Sequence, residues 1–198
     1  MKKVLAINSG SSSFKYKLFS FPSEEVIAQG QAERVGMENS VFKIKLNGRE
    51  FIKNMAIPNQ EAAVSLLINT LKKYHVVESL REIAGVGHRV VNGGEVFSQS
   101  VIMDDDNLDK LFKLGELAPL HNIPEAQGIR AFKKIIPNVP QVAVFDTSYH
   151  QTLDKIHYLY SIPYKYYKEF GIRKYGAHGT SVRYVAPRDA KMRDKNSN

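Results

Sequence analysis

The apolar residues follow a period of two in the first quarter of the chain and mostly three and four after it. Val4-Leu5-Ala6-Ile7 enters a turn of Asn8, Ser9, Gly10 and three more serines. Phe14, Tyr16 and Leu18 then alternate with Lys15, Lys17 and Phe19, which predicts a β-hairpin. A strand from Glu25 to about Val35 continues it. Val41 to Leu46 alternates cleanly, and Asn47-Gly48 signals a hairpin turn before Glu50-Phe51-Ile52 returns. This quarter reads as an antiparallel meander.

From Gln60 to Tyr74 the spacing of Val64, Leu67, Ile68 and Leu71 predicts an amphipathic helix. Ile83 to Val91 reads as a buried strand. Asp104-Asp105-Asp106 precedes Leu108, Leu111 and Phe112. Acidic residues there suit a helix N-terminus better than a metal site. Asn122-Ile123-Pro124-Glu125 opens a helix to about Ile135, and Val139 to Phe145 is a strand ending on Asp146. An antiparallel start followed by strand–helix–strand alternation predicts an α/β fold with a mixed sheet and flanking helices. Further on, Tyr164 to Phe170 reads as a short helix. Thr180 starts another, which Pro187 is expected to break.

Composition changes the picture mainly at the end of the chain. A hydrophobic share of 43% permits an ordinary core for most of the 198 residues, but residues 151–198 hold too little apolar surface to fold alone. Residues 1–150 carry 18 Lys/Arg against 16 Asp/Glu, and residues 151–198 carry 10 against 4, so most of the net +8 lies in the last quarter. The balanced body gives no reason to expect specific nucleic-acid binding, although a basic tail attracts polyanions nonspecifically. With no cysteine the chain has neither disulfides nor thiolate metal sites, which fits a cytoplasmic protein. The apolar run after Met1-Lys2-Lys3 is too short for a signal peptide, and no membrane span is expected.

Chemistry-bearing residues gather at turns and strand ends, where open α/β sheets place their sites. The hairpin tip offers backbone N–H groups, hydroxyls and the Lys15 ammonium to an anion such as phosphate. It is also a plausible solvated turn, and it lacks the Gly-Lys-Ser/Thr order of a Walker loop. Arg89, before Gly93-Gly94, has the planar fork for a carboxylate or phosphate, with pairing to Glu95 or another carboxylate as the structural alternative. His121 stands before a helix, where a structural hydrogen-bonding role is the commoner one. Asp146 suits contact with Mg²⁺ or its water, or a cap for the next turn. His178 sits between small residues ahead of Thr180 and Ser181.

Taken in order, these segments resemble the acetate kinase family. They are Asn-Ser-Gly-Ser-Ser-Ser-Phe-Lys at 8–15, Gly-His-Arg-Val-Val-Asn-Gly-Gly-Glu at 87–95, Ala-Pro-Leu-His-Asn at 118–122, Val-Phe-Asp-Thr-Ser-Tyr-His-Gln at 144–151 and His-Gly-Thr-Ser at 178–181. The resemblance runs to about Val185. Asn92 and Val182 stand where the family usually has His. It implies a lobe of the ribonuclease-H-like, actin-type ATPase fold over residues 1–150, with residues 151–198 starting a second lobe that stops short. It also implies reversible phosphoryl transfer from ATP to acetate, with Mg²⁺ (or Mn²⁺), in a homodimer. Asn8 would place the metal, and Ser11, Ser13 and Lys15 would lie around the nucleotide phosphates. Arg89 would hold the acetate carboxylate, Val91 and Leu120 would shape the methyl pocket, and His121 would lie nearby. Asp146 would position metal or water, and His178 would stabilise the transferring phosphoryl group. A propionate or butyrate kinase fragment, and a noncatalytic remnant binding phosphate, nucleotide or a protein partner, are the alternatives.

Overall fold

Every strand of the computed structural model, which describes residues 2–193, belongs to one sheet of order β5-β4-β3-β2-β1-β6-β8-β7. The meander is β1 (Lys2–Ser9), β2 (Ser13–Phe21), β3 (Glu25–Glu33), β4 (Val41–Leu46) and β5 (Arg49–Asn54), each pairing antiparallel with the next. Asn47 and Gly48 both take positive φ, 48° and 79°, so the β4–β5 turn has the backbone twist that strand hairpins favour. On the other side of β1, β6 (Ile83–Val90) and β8 (Gln141–Phe145) run parallel to it, and the two-residue β7 (Val101–Ile102) closes that edge.

Alternation along the strands sends one set of side chains into the core. Leu5 and Ile7 of β1, with Phe14, Tyr16 and Leu18 of β2, join Val64, Leu67 and Leu71 of α1 (Gln60–Lys73) and Phe132 of α3 (Pro119–Ile135). A second cluster joins Val90 and Phe145 to Ile129 of α3 and to Leu108 and Leu111 of α2 (Asp105–Lys113). Burying each of these side chains stabilises the fold by about 1.5–3 kcal/mol. Tyr16 reaches across β3 to donate its hydroxyl to the Lys43 carbonyl at 2.9 Å, passing over Gly30, where any Cβ would collide with both groups. The opposite face of the sheet carries Lys15, Lys17, Gln29, Gln31, Lys43, Lys45 and Arg89.

Asp104 caps α2 by accepting from Asn107 N–H, and Asp105 and Asp106 pair with Lys133 and Lys110. The acidic triplet is therefore a helix start, as expected. Two expectations fail. The helix expected at Asn122 begins at Pro119, because the Ala118 carbonyl accepts from both His121 and Asn122 and closes the first turn earlier. Pro119 takes the first helical position, and Pro124 lies inside the helix. Pro187 does not end the last helix either: α6 runs from Gly179 to Met192. Its residues around Pro187 are exposed, so water can reach the Arg183 carbonyl that the proline leaves unbonded.

After residue 150 the chain makes α4 (Lys155–Tyr158), α5 (Lys165–Phe170) and α6, and Gly179 is the one buried residue among those described there. Arg173 ties this stretch down. Its guanidinium lies 3.6 Å from the Tyr158 ring centre and pairs with Glu95, which also accepts from the Tyr167 hydroxyl at 2.9 Å.

Candidate active site

The hairpin tip is anchored from three sides. Ser9 is buried and donates its hydroxyl to the Pro124 carbonyl of α3 at 3.3 Å. Gln60, the first residue of α1, donates to the Gly10 carbonyl at 2.7 Å, and Val35 N–H donates to the Ser12 carbonyl at 3.0 Å. Within the tip, Gly10 N–H donates to the Ser13 carbonyl at 2.7 Å. Ser11 is exposed and Ser13 half-buried. Asn8, Lys15 and Arg89 line one open cavity of about 520 Å³ on the sheet face away from the helices.

Arg89 and Asp146 meet although 57 residues separate them, because β6 and β8 are parallel neighbours and both residues stand at the same end. Arg89 Nη2 and Nε donate to Asp146 Oδ2 at 2.6 and 3.1 Å. Of the structural alternatives, pairing of Arg89 with Glu95 does not form, since Glu95 pairs with Arg173, and pairing with another carboxylate does, with Asp146 as the partner. Asp146 is 2% exposed, and its other oxygen, Oδ1, is buried with no hydrogen-bond partner among the described residues. A buried, unpaired carboxylate oxygen at a strand end is suited to a donor arriving with a ligand, whether water, a hydrated metal or a protonated group.

The loop after β6 is held by side chains whose roles the sequence does not announce. Glu125 of α3 accepts from Val91 N–H at 3.0 Å. Asn122 accepts from Asn92 N–H at 3.2 Å and donates to the Asn92 carbonyl at 2.7 Å. Thr147 Oγ1 accepts from Gly93 N–H at 2.9 Å, and Asn92 Oδ1 accepts from Gly94 N–H at 2.8 Å. Burial pushes the Glu125 carboxyl up to about 7; the Val91 N–H and the Arg89 charge oppose that shift, and the Asp146 charge adds to it. The signal for Glu125 was its place, since residues 125, 129 and 132 form the buried stripe of α3 and a carboxylate there needs a partner. His88, beside Arg89, points into the core instead. It meets the Gln141 amide oxygen at 2.8 Å, and burial lowers it to about 4.

The remaining candidates divide. His178 sits at the head of α6 in the left-handed region, φ 58°, and the next residue's N–H donates to the Asp146 carbonyl at 3.0 Å. Gly179 is required there because any Cβ would collide with that carbonyl. That backbone bond seats the start of α6 against the end of β8, and the His178 residue ahead of it is exposed. Val91 is half-buried in the clamped loop, whereas Leu120 is 73% exposed and His121 is exposed in the first turn of α3. The structure does not bring Leu120 and Val91 into a closed pocket.

No group of three or more His, Cys, Asp or Glu that could hold a metal ion occurs among the described residues. Mg²⁺ is usually held by one or two protein oxygens together with substrate phosphates and water. The Asn8 amide and the unpartnered Asp146 Oδ1 are of that kind, so the residues present fit such an ion when phosphate accompanies it.

A mixed sheet with helices on one face, a hydroxyl-rich turn after its first strand and an ion pair at the ends of its next two parallel strands defines a lobe of the actin-like ATPase fold. A solved acetate kinase from Porphyromonas gingivalis superposes with a TM-score of 0.91 at 40% identity, covering 100% of this chain and 50% of that one. A propionate kinase from Francisella tularensis gives 0.91 at 37%, covering 99% and 50%. The acetate kinase of Bacillus subtilis is 51% identical over 97% of this chain and 49% of its own length, and that of Macrococcus caseolyticus is 48% identical over 98% and 49%. The family model described as "Acetokinase family" matches residues 3–198, past Val185, where the resemblance had been expected to end. The chain belongs to the acetokinase family. It spans about half the length of the curated relatives it matches. No helix among the described residues is long and apolar enough to cross a membrane.

Proposed function

We propose that this chain is the phosphate- and acid-binding part of an ATP-dependent acetate kinase, with residues 151–198 beginning the second lobe. The observation that carries this is Arg89, which pairs with Asp146 and lines one cavity with Asn8 and Lys15 next to the anchored hairpin tip. Acetate carries its own negative charge at neutral pH, so no side chain needs to remove a proton from it. One acetate oxygen attacks the γ-phosphorus, the bond from that phosphorus to the bridging oxygen breaks, and ADP leaves with the electron pair. What the protein supplies is position and charge. Lys15, with Ser11 and Ser13, offers donors to the phosphates. Arg89 offers its fork to the acetate carboxylate, a role in which it exchanges Asp146 for the substrate. His178, next to the Asp146 carbonyl contact, faces the transferring group, and Val91, Leu120 and His121 border the acid. Mg²⁺, for which Mn²⁺ could substitute, would supply charge neutralisation, and Asn8 and the Asp146 oxygen unpaired among the described residues would hold it. A homodimer and a cytoplasmic location belong to the same proposal.

A coupled ADP assay and hydroxamate capture of acetyl phosphate test it. Turnover by this chain that falls at least 100-fold in Arg89→Met and Asp146→Asn is the expected result. A second reading is favoured by the almost uncovered stretch after residue 150, namely a noncatalytic remnant that binds phosphate or nucleotide. Calorimetric ATP binding without turnover would establish that reading over the first. The open Val91–Leu120 region sets no upper size for the acid, so propionate and butyrate belong in the same assay.

A further inference from the structure

We propose that the sheet face opposite the helices binds an oligophosphate chain, laid along β3 between two rows of lysine. Register puts Lys15, Gln31 and Lys43 on one rung and Lys17, Gln29 and Lys45 on the next. Residues two apart on a strand share a face about 7 Å apart, and β2 and β4 lie two strand spacings apart, about 10 Å. Four ammonium groups thus surround a strip whose centre is lined by the Gln29 and Gln31 amides. All six residues line the same cavity as Asn8 and Arg89. The core takes the other face of these strands.

The charge in this groove is poorly compensated. Glu50 is the one carboxylate in the wall, and Glu33 reaches in from the side to pair with Lys43 at 3.1 Å and to accept from the Gln31 amide. Arg89 is engaged by Asp146. Among the described residues, no carboxylate lies within ion-pair distance of Lys15, Lys17 or Lys45. A narrow ligand with closely repeated negative charge fits two cationic rows flanking neutral amide donors, and phosphates joined in a chain have that form. The inference rests on the kinase proposal only at Lys15, which both sites share; Lys17, Lys43 and Lys45 lie outside the catalytic assignment. The chain can be free triphosphate or the tail of a nucleotide.

Isothermal titration of the 198-residue chain with inorganic triphosphate, and separately with ATP, tests this, using wild type and the double variant Lys17→Gln/Lys45→Gln. Thermal unfolding first checks that the double variant is folded, which its exposed positions make the expected outcome. Triphosphate binding that weakens at least tenfold in the double variant, with a shallower salt dependence, supports the groove. An equal loss for ATP assigns it to a nucleotide tail, and a loss for triphosphate alone assigns it to free oligophosphate. Absence of triphosphate binding in the wild type, or binding unchanged in the double variant, overturns it. A chain that binds triphosphate through Lys17 and Lys45 but shows no turnover keeps the groove and loses the kinase proposal.

Discussion

Residues 2–150 and residues 151–193 share a family but not a mode of support. In the first stretch, strands and helices bury a continuous set of apolar side chains, with Leu5, Phe14, Leu67 and Phe132 fully enclosed. In the second, Ile156 is 81% exposed, Phe170 68% and Met192 87%, and attachment depends on Arg173, Glu95 and a few backbone hydrogen bonds. Yet the second stretch still docks on the body, where Gly179 N–H donates to the Asp146 carbonyl. Recognition of the family and possession of a core are therefore separable: a motif-bearing stretch can be attached by a handful of polar contacts where hydrophobic burial is missing. The chain spans half the length of its relatives, and the apolar side chains left outside are concentrated where the sheet's support ends.

The contrast predicts its own largest test. Phe132→Ala, in the centre of the core, should cost about 3–5 kcal/mol in denaturant unfolding, and Phe170→Ala within about 0.5 kcal/mol. Comparable losses would mean that the second stretch has a core of its own. Next in size is the ion pair. Arg89→Met leaves the buried Asp146 carboxylate without its cation and should cost about 2–4 kcal/mol. Asp146→Asn leaves a guanidinium that water already reaches and should cost clearly less. Thermal unfolding of the two variants side by side decides the order.

Acidity should act on the body through two groups of opposite sign. His88, lowered to about 4, stays neutral in the fold while the unfolded chain takes up its proton near 6.5. Its contribution is therefore lost as pH falls from about 6.5 to about 4. Glu125, raised to about 7 from 4.5, keeps its proton in the fold while the unfolded chain has released it. Stability is therefore lost as pH rises from 4.5 to 7. Glu125→Gln should gain stability relative to wild type between pH 5 and pH 8, and a gap independent of pH would refute the burial of an acid there. The smallest effect is expected at the tether. Arg173→Leu should speed hydrogen exchange and proteolysis between residues 155 and 175 by roughly fivefold, about 1 kcal/mol of local opening, while the midpoint for the body stays put.

Much of this was legible along the chain. Alternation at Phe14, Tyr16 and Leu18 and the Asn47-Gly48 turn specified the meander, because period two and a turn that needs positive φ are local properties. Pro124 and Pro187 were misjudged for the same reason, since both lie inside helices they were expected to open or to break. Proline's effect depends on which carbonyls close the preceding turn and whether water can reach the one left over, and neither is a local property. The signal for Glu125, its place on the apolar stripe of α3, was masked because a carboxylate near an expected helix start is ordinarily explained by the helix dipole. Only the packing of α3 under β6 makes it a buried acid holding the loop after that strand.

The sequence by itself determined the strand and helix periods, the hydroxyl-rich turn, and the order of motifs that marks the family, since each is carried by neighbours in the chain. Tertiary structure decided the rest. Parallel pairing of β6 with β8 is what joins Arg89 to Asp146 across 57 residues, leaving one carboxylate oxygen unpaired among the described residues. Two-faced alternation became a core on one side and a lysine-lined groove on the other only once three helices had all chosen the same face, because burial in water is won by whole surfaces and not by single residues.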